Sequence, residues 1–240
     1  MISEEKLARF REMIDKSKST VFFGGAGVST ASGIPDFRSA KGVFVKNAEL
    51  SPEEIVSAPF FYRNTADFYA FYRDKMLFPN AKPNAAHRKL AELEKAGKLR
   101  AVITQNIDGL HRIAGSKNVV ELHGSAHRNH CLSCGKSFDL SYVLQCKGVP
   151  VCPCGGIVKP DVVLYGEALD ERDLTLAALY TSEADLLIVG GTSLAVYPAA
   201  SFVYDFHGKH LVLINKSVTG ADGYADLVFH DDIAEVFDRL

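Results

Sequence analysis

Five short apolar runs recur along the chain, at Thr20 to Phe23, Ala101 to Ile103, Asp185 to Val189, His210 to Ile214 and Asp226 to Phe229. Runs this short and continuous in Val, Ile, Leu and Phe predict strands buried on both faces. Between several of them apolar positions recur at helical spacing, as in Ala86 to Lys95 and Ala199 to Phe206. Near the start, Leu7, Phe10 and Ile14 share one helical face within the charged stretch Met1 to Lys18. This alternation predicts a parallel α/β sheet.

Polar residues follow each run: Gly24-Gly25-Ala26-Gly27, Thr104-Gln105-Asn106, Gly190-Gly191-Thr192-Ser193, Asn215, and Asp231-Asp232. Any one fits a plain turn, but the five together mark one sheet edge, and open parallel sheets bind ligands beyond the carboxyl ends of their strands. Two segments interrupt the alternation. One holds a loop around Lys41-Gly42 and an aromatic helical stretch, Phe60 to Tyr72; the other, Ser125 to Lys159, holds every cysteine. A single domain over residues 1–240 is expected, with a main lobe of roughly 1–39, 86–124 and 160–240 and a small lobe of roughly 40–85 and 125–159. The cleft between lobes is the natural substrate site.

Composition narrows the function. With 240 residues and 47% hydrophobic content the chain can bury a core. Its 27 basic and 29 acidic residues leave a net charge of −2, so no global field favours nucleic acid or anionic membranes. No apolar run reaches the roughly 18 residues of a membrane span, and the charged N-terminus lacks a signal peptide's apolar core. Four of the five cysteines fall in two tight pairs, which suits metal ligation in a reducing compartment. A cytoplasmic protein is expected.

After the first run, Gly25-Ala26-Gly27-Val28-Ser29 suits close approach of backbone to a pyrophosphate at a helix start, although Thr30 replaces the third glycine of the usual dinucleotide fingerprint. Gly33 and Pro35, within Ser32-Gly33-Ile34-Pro35-Asp36-Phe37-Arg38, break any helix immediately and imply a long functional loop. Cys131-x2-Cys134 and Cys152-x-Cys154 can supply four thiolates to one tetrahedral zinc, the second pair across a tight turn helped by Gly155-Gly156, with Cys146 as the alternative ligand. The residue types leave no open coordination position, so a structural ion is favoured. His123, one of 8 histidines, stands between the β-like run Val119 to Leu122 and Gly124, and an imidazole suits general-base work near neutral pH.

These motifs, with Thr104-Gln105-Asn106-Ile107-Asp108, His123-Gly124, Pro160-Asp161-Val162-Val163-Leu164-Tyr165-Gly166-Glu167, Gly191-Thr192-Ser193-Leu194 and Val196-Tyr197-Pro198-Ala199-Ala200, closely resemble the sirtuin signature in order along almost the whole chain. The resemblance implies a Rossmann-like doubly wound sheet with a smaller zinc-binding and helical lobe inserted. It implies removal of acetyl or related acyl groups from protein lysines, NAD being consumed and nicotinamide and O-acyl-ADP-ribose formed. His123 would be the general base on a ribose hydroxyl, Asn106 would hold the ribose side and Asp108 the nicotinamide carboxamide. Gly25, Ala26, Gly27 and Thr30 would line the pyrophosphate turn, Phe37 would screen the face that nicotinamide leaves, and Arg38 would order the loop and phosphates. Gln105 and Ile107 would line the cofactor site, Gln105 bonding a ribose. Thr192, Ser193, Asn215, Asp232 and Ile233 would hold the adenosine half. Val163, Leu164 and Tyr165 would receive an acyl-lysine peptide as an added strand, and nicotinamide would act as product and inhibitor.

Tyr69-Ala70-Phe71-Tyr72 departs from relatives that prefer succinyl or malonyl groups, which carry Tyr-x-x-Arg; here Tyr72 takes the Arg position and Arg73 follows. Acidic acyl groups are therefore expected to be disfavoured. Protein mono-ADP-ribosyl transfer shares the first chemical step and is the alternative. A dehydrogenase would want an intact G-x-G-x-x-G, and a zinc-ribbon nucleic-acid module would want a basic cluster around the cysteines, where Arg128, Lys136, Lys147 and Lys159 are scattered.

Overall fold

The computed structural model describes residues 2–36 and 50–240. Phe37, Arg38, Lys41 and Gly42 lie outside the described residues. The chain runs through α1 (Glu4–Lys16), β1 (Thr20–Gly24), two 3-10 turns, α2 (Pro52–Ile55), α3 (Ala58–Arg63), α4 (Thr65–Phe71), a π turn at Tyr72–Met76, and α5 (Ala85–Lys95). There follow β2 (Leu99–Thr104), α6 (Leu110–Ile113), β3 (Val119–Glu121), β4 (Gly124–Cys131), β5 (Ser137–Asp139), α7 (Leu140–Gln145) and β6 (Val158–Val162). The last third contributes α8 (Glu171–Ser182), β7 (Leu186–Gly190), α9 (Ser201–Tyr204), β8 (His210–Ile214), β9 (Leu227–Phe229) and α10 (Ile233–Asp238).

Six parallel strands form the main sheet in the order β3-β2-β1-β7-β8-β9. All five apolar runs are strands of it, and the sixth strand is the run that precedes His123. Both faces are covered. On one, Leu7, Phe10 and Ile14 of α1 and Phe237 of α10 pack on Phe22, Ile188 and Phe229; on the other, Ala177 of α8 and Val203 of α9 pack on Phe23, Leu187 and Val189. This double burial is why the strands read as unbroken apolar runs. Strand order reverses between β1 and β7, and this switch point opens the crevice where open α/β sheets bind ligands.

Beside the sheet, β5-β4-β6 form a three-stranded antiparallel sheet. A third apolar cluster joins the two insertions, with Phe61, Phe68, Tyr69 and Tyr72 packed on Ala126, Val143 and Leu164.

Three helical expectations change. Phe60 to Tyr72 is two helices broken at Asn64, whose backbone (φ −132°, ψ 52°) is non-helical. Ala199 to Phe206 is helical only over Ser201–Tyr204, because the chain folds back at Gly208, where a Cβ would stand 2.4 Å from the carbonyl oxygen of Ala184. The helix start expected after the glycine turn is instead two 3-10 turns, Ala26–Val28 and Thr30–Ser32. Helix α8 had no counterpart in the apolar pattern, since it buries only Ala177 and Thr181.

Candidate active site

At the switch point two glycine turns touch backbone to backbone. Gly27 N–H donates to the Gly191 carbonyl at 2.8 Å, and a Cβ on Gly191 would lie 2.3 Å from the nitrogen of Val28. Only glycine allows this approach, which sets the turn after β1 against the turn after β7 and opens a polar crevice between them.

Into the crevice β2 delivers Gln105 and Asn106. Gln105 is fixed twice, its backbone N–H on the Gly24 carbonyl and its Nε2 on Thr192 Oγ1 at 3.2 Å. Asn106 is buried and its Nδ2 donates to Ser29 Oγ at 3.1 Å. Ser29, fully buried, in turn donates to Asp108 Oδ2 at 2.6 Å, while Asp108 Oδ1 accepts from the Leu110 N–H at 2.8 Å. Burial pushes the Asp108 carboxyl pKa up, against the lowering effect of the Ser29 bond.

His123 follows β3, with Nδ1 2.9 Å from the carbonyl oxygen of Gln105. A carbonyl can only accept, so Nδ1 carries the proton and Nε2 keeps its lone pair. Burial lowers the His123 pKa below its ordinary 6.5, and the Gln105 bond partly offsets this. The imidazole is therefore neutral at physiological pH and competent as a base.

One cavity of 1210 Å³ connects these parts. Gly25, Ala26, Gly27, Thr30, Gln105, Asn106, Ile107 and His123 line its inner end; Thr192, Ser193, Asn215, Asp232 and Ile233 line the β7–β9 side; and Val163, Leu164 and Tyr165, which follow β6 of the three-stranded sheet, line a third wall. Asp108 is absent from its wall, because its carboxylate turns inward to Ser29 and the start of α6. Asp232 caps α10 through the Ala234 N–H and pairs with Lys216 at 2.7 Å, and Ile233 is 3% exposed with its tip against Gly190. Val163 donates its N–H to the His123 carbonyl, and its own carbonyl has no hydrogen-bond partner among the described residues. The backbone of Tyr165 pairs with Val56 and Ala58.

Ser29 is the residue that the sequence motif contained without revealing its use; its signal was a hydroxyl directly after the glycine turn. Lys216, Val56, Tyr72, Met76 and the opposed segments Gly166 to Leu169 and Val196 to Pro198 also line the cavity. Gly166, Glu167 and Val196 to Pro198 belong to the signature motifs and Tyr72 to the acyl-preference position, whereas Lys216, Val56 and Met76 come from segments remote in sequence that spacing could not group.

The cysteines form a separate site. The sulfurs of Cys131, Cys134, Cys152 and Cys154 lie within 4.8 Å of one another, with Cys131–Cys154 at 3.5 Å and Cys134–Cys152 at 3.7 Å. A tetrahedral zinc with bonds of about 2.3 Å needs sulfurs about 3.8 Å apart, so the set fits one ion. The tight second pair closes through the Gly155 N–H on the Cys152 carbonyl at 2.8 Å, and Cys146 stays outside the set.

The model of the Sir2 family matches residues 25–198. The NAD-dependent protein deacetylase of Clostridium acetobutylicum is 55% identical over 244 residues, covering 100% of both chains. That of Clostridium perfringens is 56% identical over 241 residues, covering 99% of each. Among solved structures, a Sir2 complex with a deacetylated p53 peptide and 3'-O-acetyl ADP-ribose superposes with a TM-score of 0.89 at 39% identity, covering 97% of this chain and 96% of that one. A Sir2 complex with p53 peptide and NAD+ gives 0.87 at 39% identity, covering 100% and 97%.

Proposed function

Since the chain belongs to the Sir2 family, we propose that it is an NAD-dependent protein deacetylase in which His123 is the general base. Acyl-lysine, NAD and water go in; free lysine, nicotinamide and O-acyl-ADP-ribose come out. Bound NAD supplies a ribose acceptor and nicotinamide as leaving group. The backbone of Gly25 to Gly27 and the Thr192–Ser193 turn flank the pyrophosphate and adenosine half, with Asn215, Asp232 and Ile233 beyond them. Asn106 meets the ribose side. Nε2 of His123 removes the proton of a ribose hydroxyl, and the Gln105 carbonyl holds the resulting imidazolium through Nδ1–H. Asp108 fixes Asn106 through Ser29 and, with acceptor sites left on its carboxylate, would also hold the carboxamide of nicotinamide. The carbonyl of Val163 accepts the N–H of the acylated lysine, with the peptide lying as an added strand. Nicotinamide, as a product of the site, inhibits by rebinding.

The observation that carries this reading is the Nδ1 bond of His123, which leaves Nε2 its lone pair at the wall of the cavity that Asn106 also lines. Nicotinamide release is the test: wild type releases it only with an acetyl-lysine peptide present, whereas His123→Ala exchanges nicotinamide but frees no lysine. Peptide-independent release, or full deacetylation by the variant, overturns the assignment, and radiolabel from NAD fixed on protein would indicate ADP-ribosyl transfer instead.

Acidic acyl groups are poor substrates in this reading. Arg73 donates to the carbonyls of Val143 and Gly148 and stacks over Tyr69, away from the cavity that Tyr72 lines. A side-by-side assay should show acetyl-lysine hydrolysed well and succinyl-lysine poorly. No helix among the described residues is long and apolar enough to cross a membrane. Four clustered thiols suit a reducing compartment, and we place the protein in the cytoplasm.

A further inference from the structure

Behind the wall of the cavity formed by Val163, Leu164 and Tyr165 lies an ion pair that the reaction itself does not use. Lys159, on β6, is 7% exposed. Its Nζ lies 3.1 Å from Glu167 Oε2, donates to the carbonyls of Val162 at 3.2 Å and Pro160 at 3.4 Å, and stands 6.0 Å over the ring of Phe61. The same Oε2 accepts the N–H of Leu164 at 2.9 Å, and the Glu167 N–H closes back on the Leu164 carbonyl. With Val163 N–H on His123 and Tyr165 held by Val56 and Ala58, the inward polar groups of the Val162-to-Tyr165 segment are satisfied one after another. The carbonyl of Val163 is left without a partner among the described residues.

A buried ammonium is retained against its desolvation cost only where partners compensate it, and its removal leaves the facing carboxylate uncompensated. Glu167 also lines the cavity, so without Lys159 its carboxylate can swing towards water, free the Leu164 N–H and let the segment shift register. We propose that Lys159 and Glu167 are positioning residues for the substrate peptide: their pair locks the Val162-to-Glu167 segment in the register that offers the Val163 carbonyl to the acylated lysine. NAD binding, built on the opposite glycine turns, does not depend on the pair. This inference rests on the deacetylase reading.

The test is steady-state kinetics with an acetyl-lysine peptide and NAD varied separately. Lys159→Met should raise the peptide KM tenfold or more while the NAD KM stays within about twofold, and Lys159→Arg should restore most of the peptide KM. Glu167→Gln keeps an acceptor for the Leu164 N–H and should raise the peptide KM by less than Lys159→Met. If Lys159→Met does not fold, the Arg and Gln variants carry the same comparison. Peptide and NAD KM rising together, or melting temperature falling with both KM values unchanged, overturns the proposal. A wild-type chain without peptide-dependent nicotinamide release would instead sink the deacetylase reading.

Discussion

Gln105 serves the site through its backbone as well as its side chain, and the backbone contact sets the protonation chemistry of His123. Because the neutral imidazole is the base and burial lowers its pKa below 6.5, activity is retained to lower pH than for an exposed histidine. The acidic limb of a kcat/KM profile should therefore fall below pH 6.5, and a limb above that value contradicts the assignment. Ser29 gives a second prediction. It is fully buried between Asn106 and Asp108, so Ser29→Ala leaves two buried polar groups short of a partner, at about 1–3 kcal/mol each. Nicotinamide exchange should drop at least tenfold in Ser29→Ala, whereas His123→Ala retains it; equal exchange in both would show that Ser29 does not set the first step. The sequence marked His123 and the glycine after it but not why that glycine is there. A Cβ on Gly124 would lie 1.9 Å from the carbonyl oxygen of Asp161, a neighbour brought in by the β4–β6 pairing.

Elements differed in how openly the sequence declared them. Strands buried on both faces carry their signal in their own residues, which is why Thr20–Gly24 and His210–Ile214 were legible. Helix α8 was not, because the residues it buries fully are the small or polar Ala177 and Thr181, while Leu176 and Tyr180 pack on the core only in part. The cysteine spacing made a zinc site legible, yet only the fold excluded Cys146. That site bears on catalysis because β4 begins at Gly124, immediately after His123, and ends at Cys131, a ligand. One zinc per chain is expected on metal analysis. Stripping it with a chelator should lower the melting temperature and abolish peptide-dependent nicotinamide release, and Cys154→Ser but not Cys146→Ser should lose the metal. A stripped chain that keeps both stability and activity would refute the structural role.

For the whole molecule, a histidine pair under the sheet links stability to pH. His87 of α5 and His111 of α6 are buried with ring centroids 4.7 Å apart, and Asn84, the cap of α5, donates to the Val28 carbonyl and Ser32 beside the glycine turn. Burial pushes His87 down to about 4 and His111 well below 6.5. The unfolded chain therefore takes up these protons as pH falls through 6.5 while the fold refuses them. Stability is full above 6.5 and is lost towards 4, by up to about 1.4 kcal/mol per pH unit for each histidine. Asp108 works in the opposite sense, since its raised pKa favours the fold as acid is added. Substitution separates the two: denaturant unfolding from pH 7.5 to 5 should show a steep decline for wild type and a shallower one for His111→Phe, which keeps a ring against Phe22 without a proton to bind. Parallel declines in the two proteins would place the acid sensitivity elsewhere. Because α5 and α6 abut the loops bearing Ser29 and Asp108, nicotinamide exchange should fail in the same pH range in which the fold loosens.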